Sequence, residues 1–173
     1  FRFIINPKAG PRDGSYLVGQ IEAVFAADTN HPDCRIILTE QPGHATQLAA
    51  EIAAQYGSRA VVVACGGDGT AREVATGLVG TRTAMSILPI GTANDFARCA
   101  LSTCEIDRLL TLMPHPQIRK IDTIAIDDQI SLNITSLGFD TKVQRKALQI
   151  NARCRWLGSF AYPLAIVLSL FGN

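Results

Sequence analysis

The sequence predicts an α/β fold, a parallel sheet with flanking helices, and three observations carry that expectation. Short apolar, β-branched runs alternate with segments of helical periodicity, each run ends in a turn rich in Gly, Pro or Asn, and after Pro116 the pattern changes to simple alternation. In an open parallel sheet, ligands collect at the carboxyl ends of the strands, so the turns that follow the apolar runs are the places to look for chemistry.

Taken in order, Phe1 to Ile5 is the first strand candidate and runs straight into Asn6-Pro7-Lys8-Ala9-Gly10, with Pro11, Asp13 and Gly14 behind it. Tyr16 to Ala27 places Leu17, Ile21, Val24 and Phe25 at helical spacing, and Asp33 to Thr39 reads as a strand again. The Thr39-Glu40-Gln41-Pro42-Gly43 loop leads into a helix over His44 to Gln55, with Ala45, Leu48, Ala49 and Ile52 inward. Ala60 to Cys65 is a buried strand, followed by Gly66-Gly67-Asp68-Gly69-Thr70 and a helix over Thr70 to Val79 that Gly80 closes. Met85 to Leu88 is the fourth strand, and Pro89-Ile90-Gly91-Thr92-Ala93-Asn94-Asp95-Phe96 repeats the grammar of strand, glycine turn and polar helix start. Ser102-Thr103-Cys104-Glu105 reads as a capping box opening a short helix to Leu112.

Beyond Pro114 and Pro116, Lys120 to Ile126 and Gln129 to Leu137 flank Asp127-Asp128, a hairpin signal with Ile130, Leu132 and Ile134 alternating. Thr141 to Ile150 is helix-compatible, and Trp156 to Leu170 reads as an apolar helix kinked near Pro163. The expected organisation is an α/β domain over residues 1–116 and the incomplete start of a β-rich second lobe over 117–173, because two strands and an apolar helix cannot cover one another.

At 173 residues and 47% apolar, the chain is long enough to bury a full core. Its net charge is +1, with nine Lys/Arg against eleven Asp/Glu up to Pro116 and seven against four after it, so the basic surplus sits at the end. Five cysteines, Cys34, Cys65, Cys99, Cys104 and Cys154, without a Cys-x-x-Cys pair argue against a disulfide framework or a zinc site and for a reducing cytosol. No signal peptide is visible, and the apolar run Phe160 to Phe171 is too short to span a bilayer. A strand that starts at Phe1 reads as an excised piece.

The turn at Gly66 to Thr70 is built for an anion. Residues without Cβ let the backbone approach a phosphate, and unpaired N–H groups of the first helical turn point at it with the helix dipole behind them. Asp68 stands out in that setting, because a carboxylate about 5 Å from a phosphate is repelled by roughly 3 kcal/mol per charge pair at an effective dielectric near 20. It therefore calls for a bridging cation or a proton to accept. The plain alternative is that Asp68 caps its own helix. Neither a P-loop nor a dinucleotide fingerprint fits, since no Gly-Lys-Ser/Thr follows and Arg72 stands three residues after Gly69. Thr70 and Thr92 offer hydroxyls at helix starts, for phosphate or for capping, and Asn94 and Asp95 read on their own as caps. His31 and His44 read as locally employed, without metal-ligand spacing around them. Arg145, Lys146, Arg153 and Arg155 beside Trp156 form a basic group that suits either a solvated helix face or an anionic headgroup surface.

Together, Asn6-Pro7-Lys8-Ala9-Gly10, Thr39 with Gly43-His44-Ala45, Gly66-Gly67-Asp68-Gly69-Thr70 with Glu73, and Pro89 to Ala97 resemble the diacylglycerol kinase catalytic domain of bacterial lipid kinases. Asn133, Ser136, Gly138, Phe139 and Asp140 look like the opening of that family's second lobe. The resemblance implies a Rossmann-like nucleotide lobe, ATP as phosphoryl donor, Mg²⁺, and a lipid alcohol such as diacylglycerol met at the membrane surface. It implies that Asn6, Pro7, Lys8, Ala9, Gly10, Thr39, Gly66, Gly67, Asp68, Gly69, Thr70, Glu73 and Thr92 contact the nucleotide. Gly91, Asn94 and Asp95 would shape the cleft. Asp68 is the catalytic candidate, although in bacterial diacylglycerol kinases the base is assigned to a later Asp-Gly-Glu segment that these residues lack. The implied setting is cytoplasmic with peripheral membrane contact and no nucleic acid; a homodimer stays open. An NAD kinase-like enzyme, sharing the Gly66 to Thr70 signature, and a non-catalytic nucleotide-binding relative are the competing readings.

Overall fold

A computed structural model describes residues 1–10, 13–27, 33–114, 116–127, 129–136, 138–153 and 161–171. Pro11, His31, Asp128, Leu137, Cys154, Arg155 and Trp156, and the side chain of Arg153, lie outside the described residues. The described residues form two compact units, 1–133 and 134–173.

In the first unit, strands β1 (Arg2–Ile5), β2 (Arg35–Leu38), β3 (Val61–Gly66) and β4 (Ala84–Pro89) form one sheet in the order β2-β1-β3-β4, every pairing parallel. Their apolar runs are near-continuous because both faces are covered. Phe3, Ile5, Val63, Cys65 and Leu88 share one core cluster with Leu17, Ile21 and Phe25 of α1 (Leu17–Ala27), and with Leu109 and Leu110 of a later helix. Ile4, Val62, Ala64 and Ile87, the alternate residues, pack on the other face against α2 (His44–Tyr56) and α3 (Asp68–Leu78). Inward pointing therefore alternates strictly with residue number, as a pleated strand requires.

The strand order sets where a ligand belongs. From β1 the chain crosses to β2 by α1 on one face, then returns past β1 to β3 by α2 on the other. The crevice at the carboxyl ends of β1 and β3 is thus the topological switch point of the sheet, where doubly wound folds bind their ligands. At the opposite edge Arg2, only 5% exposed, stacks its guanidinium 4.4 Å from the centre of the Tyr56 ring and meets Asp33 at 2.6 Å. Arg2 is buried while Asp33 is largely exposed, so the pair clamps the sheet edge to the surface rather than forming a site.

Two expectations are corrected. The segment Ser102 to Glu105 does not form a capping box: α5 (Ile106–Leu112) starts after Glu105, which supplies no side-chain bond, and the Thr103 hydroxyl accepts the Glu105 N–H instead. The expected strands after Pro116 shrink to a short hairpin, β5 (Ile124–Ile126) with β6 (Gln129–Ser131), antiparallel and joined through Asp127 at φ 52°. That left-handed geometry is what a two-residue hairpin loop demands. The pair is short because β5 is exposed throughout, and only Ile130 of β6 is buried. Of the apolar helix expected over Trp156 to Leu170, residues 161–171 are helical, and residues 156–160 lie outside the described residues.

The second unit holds α6 (Phe139–Arg153) and α7 (Ala161–Phe171), preceded by α4 (Asp95–Ala100) and α5 in the first unit. Val143 and Ala147 of α6 pack on Ala165 of α7, and Lys146 Nζ donates to the Leu168 carbonyl. Among the described residues no helix is long and apolar enough to cross a membrane, and Cys34, Cys65, Cys99 and Cys104 are free thiols. Burial pushes the Cys65 thiol pKa well up and so keeps it protonated.

Candidate functional site

Four strand-end loops are tied together at the switch point by backbone and side-chain bonds. The Asn6 N–H donates to the Cys65 carbonyl at 2.9 Å, the Thr39 N–H to Ile5 at 2.8 Å, and the Ile90 N–H to Gly66 at 3.1 Å, so each loop leaves its strand locked to the next. Asn6 is the central tie: its Oδ1 accepts the Lys8 N–H and its Nδ2 donates to Thr70 Oγ1 at 3.2 Å, joining the first loop to the start of α3. A hydroxyl that accepts from an amide keeps its own hydrogen to give, and Thr70, 6% exposed, borders the cavity.

Glycine is needed where two loops touch. A Cβ on Gly91 would stand 2.4 Å from the Gly67 Cα and 2.7 Å from Asn94 Oδ1, distances no real side chain tolerates. Two backbones therefore meet face to face between β3 and β4. Asn94 holds this contact in a left-handed conformation, φ 55°, while its Nδ2 donates to the Gly91 carbonyl at 2.8 Å.

The role of Asp68 differs from a cap on its own helix. Gly67 is the N-cap of α3, and Asp68, one residue inside, turns its carboxylate to accept the Phe96 N–H of α4 at 2.9 Å. It caps the neighbouring helix. The two glycine loops are thus joined twice, through the Gly67–Gly91 contact and through this carboxylate.

The loops enclose a cavity of about 400 Å³. Of the residues singled out from sequence, Asn6, Lys8, Ala9, Gly10, Thr39, Gly67, Gly69, Thr70, Glu73 and Gly91 border it. Pro7, Gly66, Asp68, Thr92, Asn94 and Asp95 stand beside it without lining it. Gly66 ends β3 beneath the Thr70 side chain, and Thr92 and Asp95 face solvent. Glu40, Gln41 and Pro42, which are not among the expected nucleotide contacts, complete the wall together with Ala45 of the Gly43-His44-Ala45 motif. Their signal is the strand-end position of the Thr39 to Gly43 loop, from which only Thr39 is expected to contact the nucleotide. The same segment holds a side-chain bond not foreseen, the Glu40 N–H donating to His44 Nδ1 at 3.1 Å.

Residues 1–126 match the family model for the diacylglycerol kinase catalytic domain, well over half of the chain. The chain belongs to the diacylglycerol kinase catalytic domain family. Curated relatives agree. A "Probable lipid kinase YegS-like" of Cronobacter sakazakii is 34% identical over 145 residues, covering 81% of this chain and 46% of the relative. A protein of the same name from Pseudomonas putida is 41% identical over 112 residues, covering 61% and 36%. A crystal structure of a diacylglycerol kinase from Bacillus anthracis superposes with a TM-score of 0.64 at 30% identity, over 75% of this chain and 46% of that one. The α/β architecture is therefore that of the diacylglycerol kinase family, and its members among these relatives are named as lipid kinases. The chain spans less than half the length of these relatives.

Proposed function

We propose that the protein acts as an ATP-dependent lipid kinase, moving the γ-phosphate of ATP to the hydroxyl of diacylglycerol or a related lipid alcohol. Residues 1–116 supply the nucleotide lobe in this reading, and residues 117–173 begin the acceptor lobe. The observation that supports it is the switch-point cavity, where loops from all four parallel strands converge on one space lined by the unpaired start of α3. In this reading the Thr70 hydroxyl and the first-turn N–H groups of α3, at the cavity, would meet phosphate oxygens, and the exposed Lys8 would add a positive charge at the rim.

Phosphoryl transfer asks chiefly for positioning and for neutralised charge. The bond from the γ-phosphorus to the bridging oxygen breaks, a new one forms to the lipid oxygen, and the hydroxyl proton passes to a carboxylate, for which Asp68 is this chain's candidate. Its bond from Phe96 fixes its orientation beforehand. The donor set suits Mg²⁺ carried in by the nucleotide. Among the described residues no three His, Cys, Asp or Glu side chains group to cage a metal, whereas Glu40 and Glu73 border the cavity. Mg²⁺ is commonly held by one or two carboxylates together with phosphates and waters, so these two would hold it, and when bound it would offset phosphate charge. Access to a lipid acceptor requires peripheral contact with a membrane, to which the Arg145 and Lys146 side of α6 is suited by charge.

The deciding experiment supplies the full-length protein with γ-labelled ATP, magnesium and diacylglycerol in mixed micelles, alongside sphingoid bases and NAD. Labelled phospholipid is the expected product. Label in NADP alone, or in no acceptor while the nucleotide still binds, would overturn the reading.

A further inference from the structure

We infer that His44 is a positioning residue of the cavity, whose unprotonated Nδ1 accepts the Glu40 N–H and so holds the Thr39–Pro42 wall in place. The inference rests on the nucleotide reading of that cavity. The wall joins β2 to α2 and is anchored at one end by the Thr39 N–H on the Ile5 carbonyl. At its other end the means of anchoring are sparse. The N-cap of α2 is Gly43, at φ 83° and without a side chain to bond the first turn, and Pro42 has no N–H to give. What crosses the loop instead is a reciprocal pair about the first residue of the helix: the His44 N–H donates to the Gln41 carbonyl at 3.2 Å, and the His44 ring accepts the Glu40 N–H at 3.1 Å. Glu40, Gln41 and Pro42 all line the cavity, so this pair sets the distance between that wall and the phosphate-facing start of α3.

The chemistry of imidazole makes the bond conditional. A neutral ring has one nitrogen that accepts and one that donates; with Nδ1 accepting, the hydrogen sits on Nε2. Once protonated, both nitrogens are donors, and the Glu40 N–H then faces another N–H. The wall loses its tie. Charged groups sharing the rim are Glu40 on the loop itself, Lys8 on the first loop and Glu73 on α3. Others on the elements packed against α2 are already engaged: Asp68 with Phe96, Arg72 with Gln129, Arg2 with Asp33, and Arg59 with the Tyr56 carbonyl. On α2 itself Glu51 accepts from Gln47.

Asparagine separates this role from simple packing, because its Oδ1 reaches about as far as the ring Nδ1 and accepts without titrating. Calorimetry with ATP and magnesium across pH ~5 to ~8, the interval in which histidines as a class change charge, compares wild type, His44→Asn and His44→Ala. Wild-type binding is expected to weaken about five- to tenfold on acidification, as for loss of one hydrogen bond. His44→Asn should retain the neutral-pH affinity throughout, and His44→Ala should be weak at every pH. In parallel, the Glu40 amide resonance should move between pH ~8 and ~5 in wild type without nucleotide, and stay fixed in His44→Asn. Identical pH profiles for wild type and His44→Asn, or a Glu40 amide indifferent to the ring, overturn the inference. If wild type binds no nucleotide at neutral pH, the nucleotide reading fails, and the amide resonance alone then decides whether His44 holds the loop.

Discussion

Asp68 occupies the first position of one helix and caps another, and the two halves of that role come apart on substitution. Asparagine keeps an oxygen for the Phe96 N–H, so Asp68→Asn should melt with wild type yet lose phosphoryl transfer in the full-length enzyme, having lost the group that takes the proton. Alanine loses the cap as well, at a cost of about 1 kcal/mol, or a fall in Tm of about 2–4 °C for a chain of this size. Thermal melts beside a transfer assay check both. Full turnover by Asp68→Asn would take Asp68 out of the chemistry and leave it a cap. At the other edge of the sheet, the hydrogen bond from Arg2 holds the Asp33 carboxyl below its usual range and raises the Arg2 pKa in turn. A depressed carboxyl contributes stability above its unfolded value, and loses it as pH falls toward the folded one. Wild type should therefore out-melt Asp33→Asn at neutral pH, with the gap closing below pH about 4. A gap that widens in acid contradicts the pairing. Most cavity residues were legible because glycines, threonines and an asparagine after strands are unusual unless the backbone must approach something. The Asp68 partner was not, since nothing local tells a carboxylate to cap a helix that begins 27 residues later.

Helix α3 carries two glycines with opposite duties, and they make a test of where the packing ends and the site begins. Gly77 lies against α2: a Cβ there would stand 2.3 Å from the Thr46 carbonyl oxygen and 2.9 Å from the Ala49 Cβ. Gly77→Ala must push the helices apart and should destabilise by about 1–3 kcal/mol. Gly69 has nothing within 4 Å of the same added atom, and it borders the cavity. Gly69→Ala should leave Tm unchanged or slightly raised, through a less flexible unfolded chain, while weakening ATP binding in calorimetry. If both variants melt like wild type, the close α2–α3 approach is not holding the helices. Helices and strands of the first unit were readable because each apolar run meets a face that is buried. The hairpin strands were read too long because β-branched residues alternate there whether or not a second sheet covers them, and Ile118, Ile121, Ile124 and Ile126 are all exposed. Periodicity reports which residues could be buried; a partner surface decides which are.

Across the first unit the chemistry gathers on a single edge of the sheet, although its parts are scattered through the chain as residues 6–10, 39–42, 67–70 and 89–94. Only the parallel strand order makes them neighbours, because every strand then delivers its carboxyl end to the same side. The facing edge collects the opposite ends: Arg2 with Asp33, the turn at residues 57–60, and residues 80–84 leading into β4. This polarity predicts a pattern no isolated loop could give. A nucleotide bound at the switch point should slow amide exchange in the four carboxyl-end segments together, since the Thr39 N–H on the Ile5 carbonyl, Asn6, the Gly67–Gly91 contact and Asp68 couple each to its neighbour. Residues 57–60 and 80–84 should exchange as they do without it. Exchange mass spectrometry with and without ATP and magnesium reads both edges in one experiment. Protection confined to the Gly66 to Thr70 turn would mean an isolated anion site, and protection shared equally by the two edges would mean general tightening; either outcome removes the case for one converged cavity.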